Sequence, residues 1–483
     1  MIKDIFTDET CRAFGFTPTA EQAAAIDVFG NFATCRDSHS AMILRGSAGT
    51  GKTTLAGAVV RALISLRQKV VLMAPTGRAA KVFSLNAGCE AYTIHRRIYR
   101  QKTYTGEDTG FSLNFNKHRN ALFIVDEASM IPSGNGSSGI FGSGRLLDDL
   151  MQHVYGGEQC RLMLIGDKAQ LPPVGETESP ALSPQVIEEY GMRVFLADLN
   201  EVVRQSAESG ILWNATAIRN MITHDEMTQL PRITLGIFPD IHRVPGNELI
   251  EQLGTSYSTV GIDETMVVVR SNKKANIYNN GIRTMILGRE EPLTSGDLLM
   301  VVKNNYHWTE SKETENDDGH NMTFLANGDR MMVNRVRNIR ELYGFTFADA
   351  QMVFPDYDDY EIEATVLLDT LQAEAPALTR EQSESLFNAV MDDYADVPLK
   401  SERLKRVRED RFFNALQIKY AYSVTCHKAQ GGQWGHVYID QGYMTDDMLS
   451  PEYIHWLYTA FTRATEQLFL VNWPKEQETT SLD

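Results

Sequence analysis

The chain is short of the features that staple, span or repeat. Its 483 residues include five cysteines, Cys11, Cys35, Cys89, Cys160 and Cys426, scattered and without a C-x-x-C pair. That usage fits a reducing compartment and argues against a structural zinc. No apolar run approaches the ~18 residues that a membrane span needs. The first residues, MIKDIFTDETCRAFGF, mix charges and lack an apolar h-region. No secretory signal is readable, so a cytoplasmic protein is expected. There is no repeat of fixed period. Positive charge is also scarce, with 46 Lys plus Arg against 63 Asp plus Glu, a net charge of −17. Taken alone this speaks against a nucleic-acid partner, because phosphate contacts need local positive charge. A net charge, however, says little about a single cleft.

The remaining composition is that of a globular protein: 43 % hydrophobic and 23 % charged residues. This excludes a largely disordered, collagen-like or coiled-coil chain. The length suggests roughly three domains. Short apolar runs, Ala41–Arg45, Val70–Ala74, Leu122–Val125 and Arg161–Ile165, read as buried parallel strands. Between the first two, Leu55, Val59, Leu63 and Leu66 recur at helical spacing. The alternation predicts an α/β domain with a parallel sheet. A second strand set follows at Met266–Arg270, Val437–Ile439 and Leu468–Val471, with a helix over Tyr453–Ala464. It implies a second α/β domain, discontinuous in sequence and interrupted by a stretch over Pro292–Asn414. That stretch holds an acidic region, Asp356 to Asp369, and a basic run, Lys400–Arg411. Both read as solvated faces. The Gly/Ser-rich Pro132–Gly144 reads as a mobile loop, and Arg97–Lys117 reads as a β-hairpin whose turn is flanked by Tyr104 and Phe111.

The strongest motif is Gly46-Ser47-Ala48-Gly49-Thr50-Gly51-Lys52-Thr53, followed by Thr54. It fits G-x-x-x-x-G-K-[ST] between a predicted strand and a predicted helix. Glycines let backbone N–H groups wrap a phosphate, and the helix N-terminus adds positive potential. Lys52 is placed to reach the β- and γ-phosphates of ATP, and the Thr53 hydroxyl to hold Mg²⁺. Phe123-Ile-Val-Asp126-Glu127 is an apolar strand ending in two carboxylates. Asp126 suits the Mg²⁺ shell, and Glu127 suits a base that polarises the attacking water. Gly166-Asp167-Lys-Ala-Gln170-Leu-Pro-Pro repeats the logic on the next strand. There the neutral amide of Gln170 is suited to sensing the γ-phosphate and the water.

With these residues in hand, the pattern resembles superfamily 1 DNA helicases, specifically the RecD/Dda-like branch, over most of the chain except Pro292–Asn414. Thr19-Ala-Glu-Gln22 resembles the adenine-recognising motif, Met73-Ala-Pro-Thr76-Gly-Arg78 a single-strand contact, and Thr93-Ile-His95 the short element after it. Leu199-Asn-Glu-Val-Val-Arg204-Gln205 resembles the motif with the first arginine finger, and Leu457-Tyr-Thr-Ala-Phe-Thr-Arg463 the motif with the second. Arg270-Ser271-Asn272, Thr425-Cys-His427-Lys428-Ala-Gln430 and Asn327-Gly328-Asp329 are similar to further family motifs.

The resemblance implies two RecA-like P-loop domains, 1A over 1–96 with 119–250 and 2A over 251–291 with 415–483. It adds a hairpin domain 1B at 97–118 and an inserted, SH3-like β domain at 292–414. It implies ATP and Mg²⁺ at the cleft and an ATP-dependent, 5′-to-3′ motor on single-stranded DNA. Thr76, Arg78, His95, Asn272, His427 and Lys428 would grip DNA, with Tyr104 or Phe111 as a wedge at a duplex fork. A monomer without a membrane partner is expected, with replication or recombination proteins open as further partners. An opposite-polarity or RNA-preferring translocase, and a P-loop switch regulating a partner, stay open as alternatives.

Overall fold

The computed structural model describes residues 2–101, 111–134, 142–202, 208–224, 229–309 and 324–480. The four apolar runs of the first half lie side by side. They belong to a six-stranded sheet, all parallel. Its order is Ala91–Thr93, Lys69–Ala74, Ala121–Val125, Arg161–Gly166, Ser40–Gly46 and Arg193–Leu199. These runs pair as parallel strands because helices cover both faces and leave almost no side chain of the central strands in water. The strand Ser40–Gly46 sits between Arg161–Gly166 and Arg193–Leu199, with Ala121–Val125 one strand further. The carboxyl ends of three strands therefore meet one crevice, where open α/β sheets bind ligands.

A second sheet of five parallel strands runs in the order Ile241–Val244, Ala464–Val471, Trp434–Asp440, Thr265–Val269 and Ser423–Thr425. Two expectations change here. The strand Ile241–Val244, expected with the first sheet, pairs with Ala464–Val471 of the second. Its pairing groups are satisfied some two hundred residues downstream, beyond the reach of any local pattern. The predicted helix over Tyr453–Ala464 spans Pro451–Phe461, opened by the Ser450 cap, and Ala464 already starts the next strand.

Between these segments the chain closes a five-stranded barrel from Leu298–Val301, Arg330–Leu342, Phe345–Phe354, Tyr360–Leu367 and Leu416–Tyr420. Its last strand lies beyond the 292–414 span expected for the insertion. Leu416–Tyr420 is buried throughout and joins two barrel neighbours. The basic run forms the helix Lys400–Glu409, which packs with Arg380–Asp393 on the barrel through Val407, Leu386, Val390 and Phe347. The hairpin is present as Tyr99–Gln101 paired with Phe111–Leu113. Tyr104 and the side chain of Phe111 lie outside the described residues, as do 135–141 of the Gly/Ser-rich loop.

Asp297 fastens the barrel to the second sheet. It is fully buried. Its carboxylate accepts from Arg283 at 3.0 and 2.9 Å, Arg289 at 2.9 Å, the Tyr422 hydroxyl at 2.9 Å and the Thr294 N–H at 2.8 Å. Burial raises its pKa, but the Arg283 hydrogen bond and the other donors outweigh it and hold the group below the usual 3.8. A depressed carboxyl contributes stability above its unfolded value and loses it as pH falls through the folded one. Asp297→Ala strands the buried Arg283, so a loss of about 3–5 kcal/mol is expected in urea unfolding at pH 7. The gap between variant and parent should close only below about pH 4. An equal urea midpoint for the two proteins at pH 7 would show that the cluster does not hold the barrel.

Candidate functional site

The loop after Ser40–Gly46 owes its shape to two left-handed glycines, Gly49 at φ 79° and Gly51 at φ 76°. At Gly51 a Cβ would stand 2.9 Å from Gln22 Nε2, so the backbone approach admits no side chain. The fourteen-residue helix Lys52–Ser65 starts there, aiming its first N–H groups and its positive dipole end at the loop. Thr50 turns inward, its Oγ1 donating to the Ser47 carbonyl at 2.8 Å. Its own carbonyl accepts from Gln22 Nε2 at 3.0 Å, and Gln22 Oε1 accepts from the Thr19 N–H at 3.0 Å in a capping box. Gln22 thus fixes the loop to the helix Ala20–Ala33.

A cavity of about 610 Å³ opens over this loop. Gln22, Ser47, Ala48, Gly49, Gly51, Lys52, Thr53, Thr54, Asp126, Glu127 and Gln170 line it from the first sheet's side. Gly431, Gln433, Thr462 and Arg463 line it from the second's. Gly46 and Thr50, expected among the phosphate contacts, serve the loop's own fold and do not line the cavity. At the far end stand Phe14, Phe16 and Thr17. Phe16 is 70 % exposed and meets Phe14 edge-on at 5.9 Å. This apolar corner beside Gln22 suits a flat base. No motif marked the two phenylalanines; only their place just before Thr19 could have.

The acidic end carries the electrostatic tension. Asp126 is 6 % exposed. Burial, and then the Glu127 carboxylate beside it, push its pKa upward while Lys52 pulls the other way. Glu127 adopts φ 53°, an uncommon backbone for a side chain of its size and a mark of functional sites. Glu127 Oε2 and Gln170 Oε1 are both buried without a hydrogen-bond partner among the described residues. Unpartnered buried acceptors are costly. A carboxylate, a second carboxylate oxygen, an amide oxygen and the Thr53 hydroxyl form an all-oxygen donor set of the kind that a hard divalent cation takes. The residues present therefore fit Mg²⁺.

Arg463 is 1 % exposed and lies beyond the helix Pro451–Phe461. Its guanidinium donates to the carbonyls of Thr459 and Gly432, each at 3.0 Å, and to Thr462 Oγ1 at 3.0 Å. It is held rigidly at the cavity wall by its own side of the molecule. Arg204 lies outside the described residues. One cation that the motifs did not mark reaches the same loop: Arg219 donates to Ser47 Oγ and to the Asn200 carbonyl.

The residues expected on DNA divide into two groups. Three segments converge at one junction. Thr76 caps the helix Gly77–Ala87 and packs against Gly431. A Cβ at Gly77 would stand 2.6 Å from the Tyr357 hydroxyl, which donates to Asp329 at 2.7 Å. Lys428 Nζ donates to Asn327 Oδ1 at 2.6 Å. Burial, and then Lys419, push the Lys428 pKa down to about 8. Arg78 stands at this junction too, but its guanidinium is committed to protein. It donates to the Gln433 carbonyl at 2.6 Å and stacks 5.1 Å from the Trp434 ring centroid. It bridges the two halves. The others stand apart from these contacts. His95 packs on Tyr99 at 5.7 Å, its pKa pushed to about 4 by burial. His427 is half-buried, and burial lowers its pKa. Asn272 opens the helix Asn272–Gly281 and is half-buried.

Comparison with known proteins adds to this geometry. A family model described as an AAA domain matches residues 17–230, and one described as a UvrD-like helicase C-terminal domain matches 420–471. The ATP-dependent RecD2 DNA helicase of Deinococcus radiodurans is 30 % identical over 40 % of this chain and 22 % of its own length. The ATP-dependent DNA helicase dda of Enterobacteria phage T4 is 27 % identical over 53 % of this chain and 55 % of its own. The chain thus spans about half or less of these two relatives. A Bacteroides Pif1 helicase, solved with ADP-AlF3 and single-stranded DNA, is 16 % identical with a TM-score of 0.46, covering 96 % of this chain and 94 % of that one. Both family models fall on segments that wall the cavity, and the chain is similar there to superfamily 1 helicases of the RecD and Dda type.

Proposed function

We propose that this chain is an ATP-driven motor on DNA, which moves along single strands from 5′ to 3′ and separates the duplex ahead of it. The observation that carries the reading is the make-up of one cavity: a P-loop, paired acids and Gln170 from one parallel sheet, and Arg463 from the other. The names of the relatives, both ATP-dependent DNA helicases, support it. In this reading the two sheets are the cores of two RecA-like domains with ATP between them. The loop amides and Lys52 bind the phosphates, and Phe16 with Gln22 receives the base. Thr53 and Asp126 would hold Mg²⁺, which neutralises phosphate charge when bound. Glu127 takes the proton of the attacking water, and Gln170 orients that water. Arg463, joined by Arg204 in the family pattern, stabilises the charge of the transition state, a contribution of up to ~10³–10⁵-fold.

Because Arg463 belongs to the other half, turnover needs a closed cleft, and each cycle moves one half against the other as a hinge. Thr76, His95, Asn272, His427 and Lys428 hold the strand with hydroxyl, amide and imidazole groups plus one half-buried ammonium, which a −17 chain can supply. The 5′-to-3′ direction rests on the family resemblance and on the small hairpin insertion. Tyr104 or Phe111 there stacks on the first unpaired base, worth ~1–3 kcal/mol. The five free cysteines suit a cytoplasmic workplace.

The deciding assay is ATP hydrolysis with and without single-stranded DNA and RNA, followed by unwinding of tailed duplexes of each polarity. Stronger stimulation by RNA, or unwinding only from a 3′ tail, replaces the reading with one of its alternatives. Lys52→Ala should abolish turnover while the circular dichroism of the folded chain persists. Glu127→Gln should still bind ATP in a filter assay yet turn it over at least about a hundredfold more slowly, losing only the base. Near-normal turnover in either variant sinks the assignment.

Arg463→Ala should lower kcat by orders of magnitude with a smaller change in nucleotide affinity, since a finger acts in the transition state. Weakened ATP binding with kcat intact at saturation contradicts that role. Lys428→Ala should weaken binding of a labelled oligonucleotide and flatten its salt dependence by about 0.7 log units per log unit of salt, the share of one single-strand phosphate. A salt slope equal to that of the parent excludes the contact.

A further inference from the structure

The seam between the two sheets holds a residue that the motifs use only as a neighbour of Arg463. Tyr458, in the middle of the helix Pro451–Phe461, is 1 % exposed. Its hydroxyl donates to Asp167 Oδ2 at 2.6 Å and accepts from the Ala48 N–H at 3.0 Å. One oxygen atom from the second sheet's side therefore touches both the P-loop and the loop that carries Gln170.

Its surroundings repeat the pattern. Thr459 Oγ1 accepts from the Leu171 N–H at 2.8 Å. His455 Nδ1 bonds the Ala169 carbonyl at 2.9 Å, and Gln430 Nε2 donates to the Leu171 carbonyl at 2.7 Å. Gln170 thus has the residue before it and the residue after it held from the opposite half. Its own side-chain oxygen is buried and has no hydrogen-bond partner among the described residues. Packing explains the Tyr458 ring, since phenylalanine fills the same space. It does not explain a hydroxyl inserted between a P-loop amide and a buried carboxylate.

We propose that Tyr458 is a positioning residue for hydrolysis: docking of its helix sets the P-loop backbone at Ala48 and the loop holding Gln170 in one move. The inference rests on the ATPase reading above and extends it. The relative position of the two halves then reaches the γ-phosphate end of the cavity by two routes, through the charge of Arg463 and through the Tyr458 hydroxyl. Opening of the cleft withdraws both, so ground-state ATP binding, which depends on Lys52 and the loop amides, survives a loss that turnover does not.

Tyr458→Phe tests this, because it removes the oxygen and keeps the ring. Tyr453→Phe is the control. It lies on the same helix, and its hydroxyl donates to Gln441 Oε1 at 2.6 Å, away from the loop. In nucleotide-free protein, amide hydrogen exchange at Ala48 and across 167–171 should quicken about tenfold in Tyr458→Phe and stay at the parent rate in Tyr453→Phe. With saturating single-stranded DNA, kcat should fall about 10- to 100-fold, the worth of a hydrogen bond to a charged group, while KM for ATP stays within about threefold. Unchanged exchange in Tyr458→Phe overturns the contact. Quickened exchange with unchanged kcat, or a loss confined to KM, overturns the positioning role. A parent protein without DNA-stimulated turnover counts against the helicase reading, while the exchange experiment still decides the Tyr458 contact.

Discussion

The nucleotide cavity has one wall on each sheet, so its shape depends on how the helix Pro451–Phe461 meets the loop after Arg161–Gly166. Across that seam three residues of the helix, and Gln430 beside it, bond the loop 167–171, while Ala169 and Leu171 of the loop join the apolar cluster of the second half. Buried hydrogen bonds of this kind are directional and short-ranged, unlike the apolar contacts that build each sheet. A small rotation therefore strains several at once. The arrangement suits a joint that must open and close without unfolding either side.

Charge explains why such a joint has a preferred partner. Asp126 and Glu127 line the cavity beside Lys52, with Asp167 close behind it, and burial works against ionising both buried aspartates. Without a cation the acids are held apart from their best state. In the proposed reading a magnesium nucleotide would supply the positive ion to the acids and the negative phosphates to Lys52 and Arg463. Arg463 is already oriented by three bonds to its own half, so the finger role proposed for it would need little reorganisation. The net charge of −17 is thus no obstacle to the proposed polyanion chemistry, because the cations it needs are few and local.

The barrel enters through Asp297. Four side chains and one backbone amide meet its carboxylate, and the same barrel delivers Asn327 to Lys428 and Tyr357 to the Thr76–Arg78 turn. Arg78 closes this junction by stacking on Trp434 while bonding Gln433. The barrel, the second sheet and the helix Gly77–Ala87 of the first sheet are therefore tied at one corner. In the proposed reading, motion at the cleft would reach the face of the strand contacts through this corner.

Local pattern was enough for the parts whose chemistry is local. The P-loop was legible because a phosphate cradle needs glycines and a helix start within eight residues. The parallel strands were legible because burial on both faces leaves an unbroken apolar run, and Asp126 and Glu127 because they end such a run. The tertiary structure decided what no spacing encodes. Ile241–Val244 joined the second sheet because its pairing edge lies at Ala464–Val471, and Leu416–Tyr420 closed the barrel because a sheet of that curvature needs its fifth strand. Arg78 became a clamp between halves because Trp434 and Gln433 happen to face it. Tyr458 gained a role only when two loops, distant in the chain, were brought to its hydroxyl. Residue type and short-range spacing carry local chemistry, whereas hydrogen bonds across hundreds of residues exist only once the fold has placed their ends together.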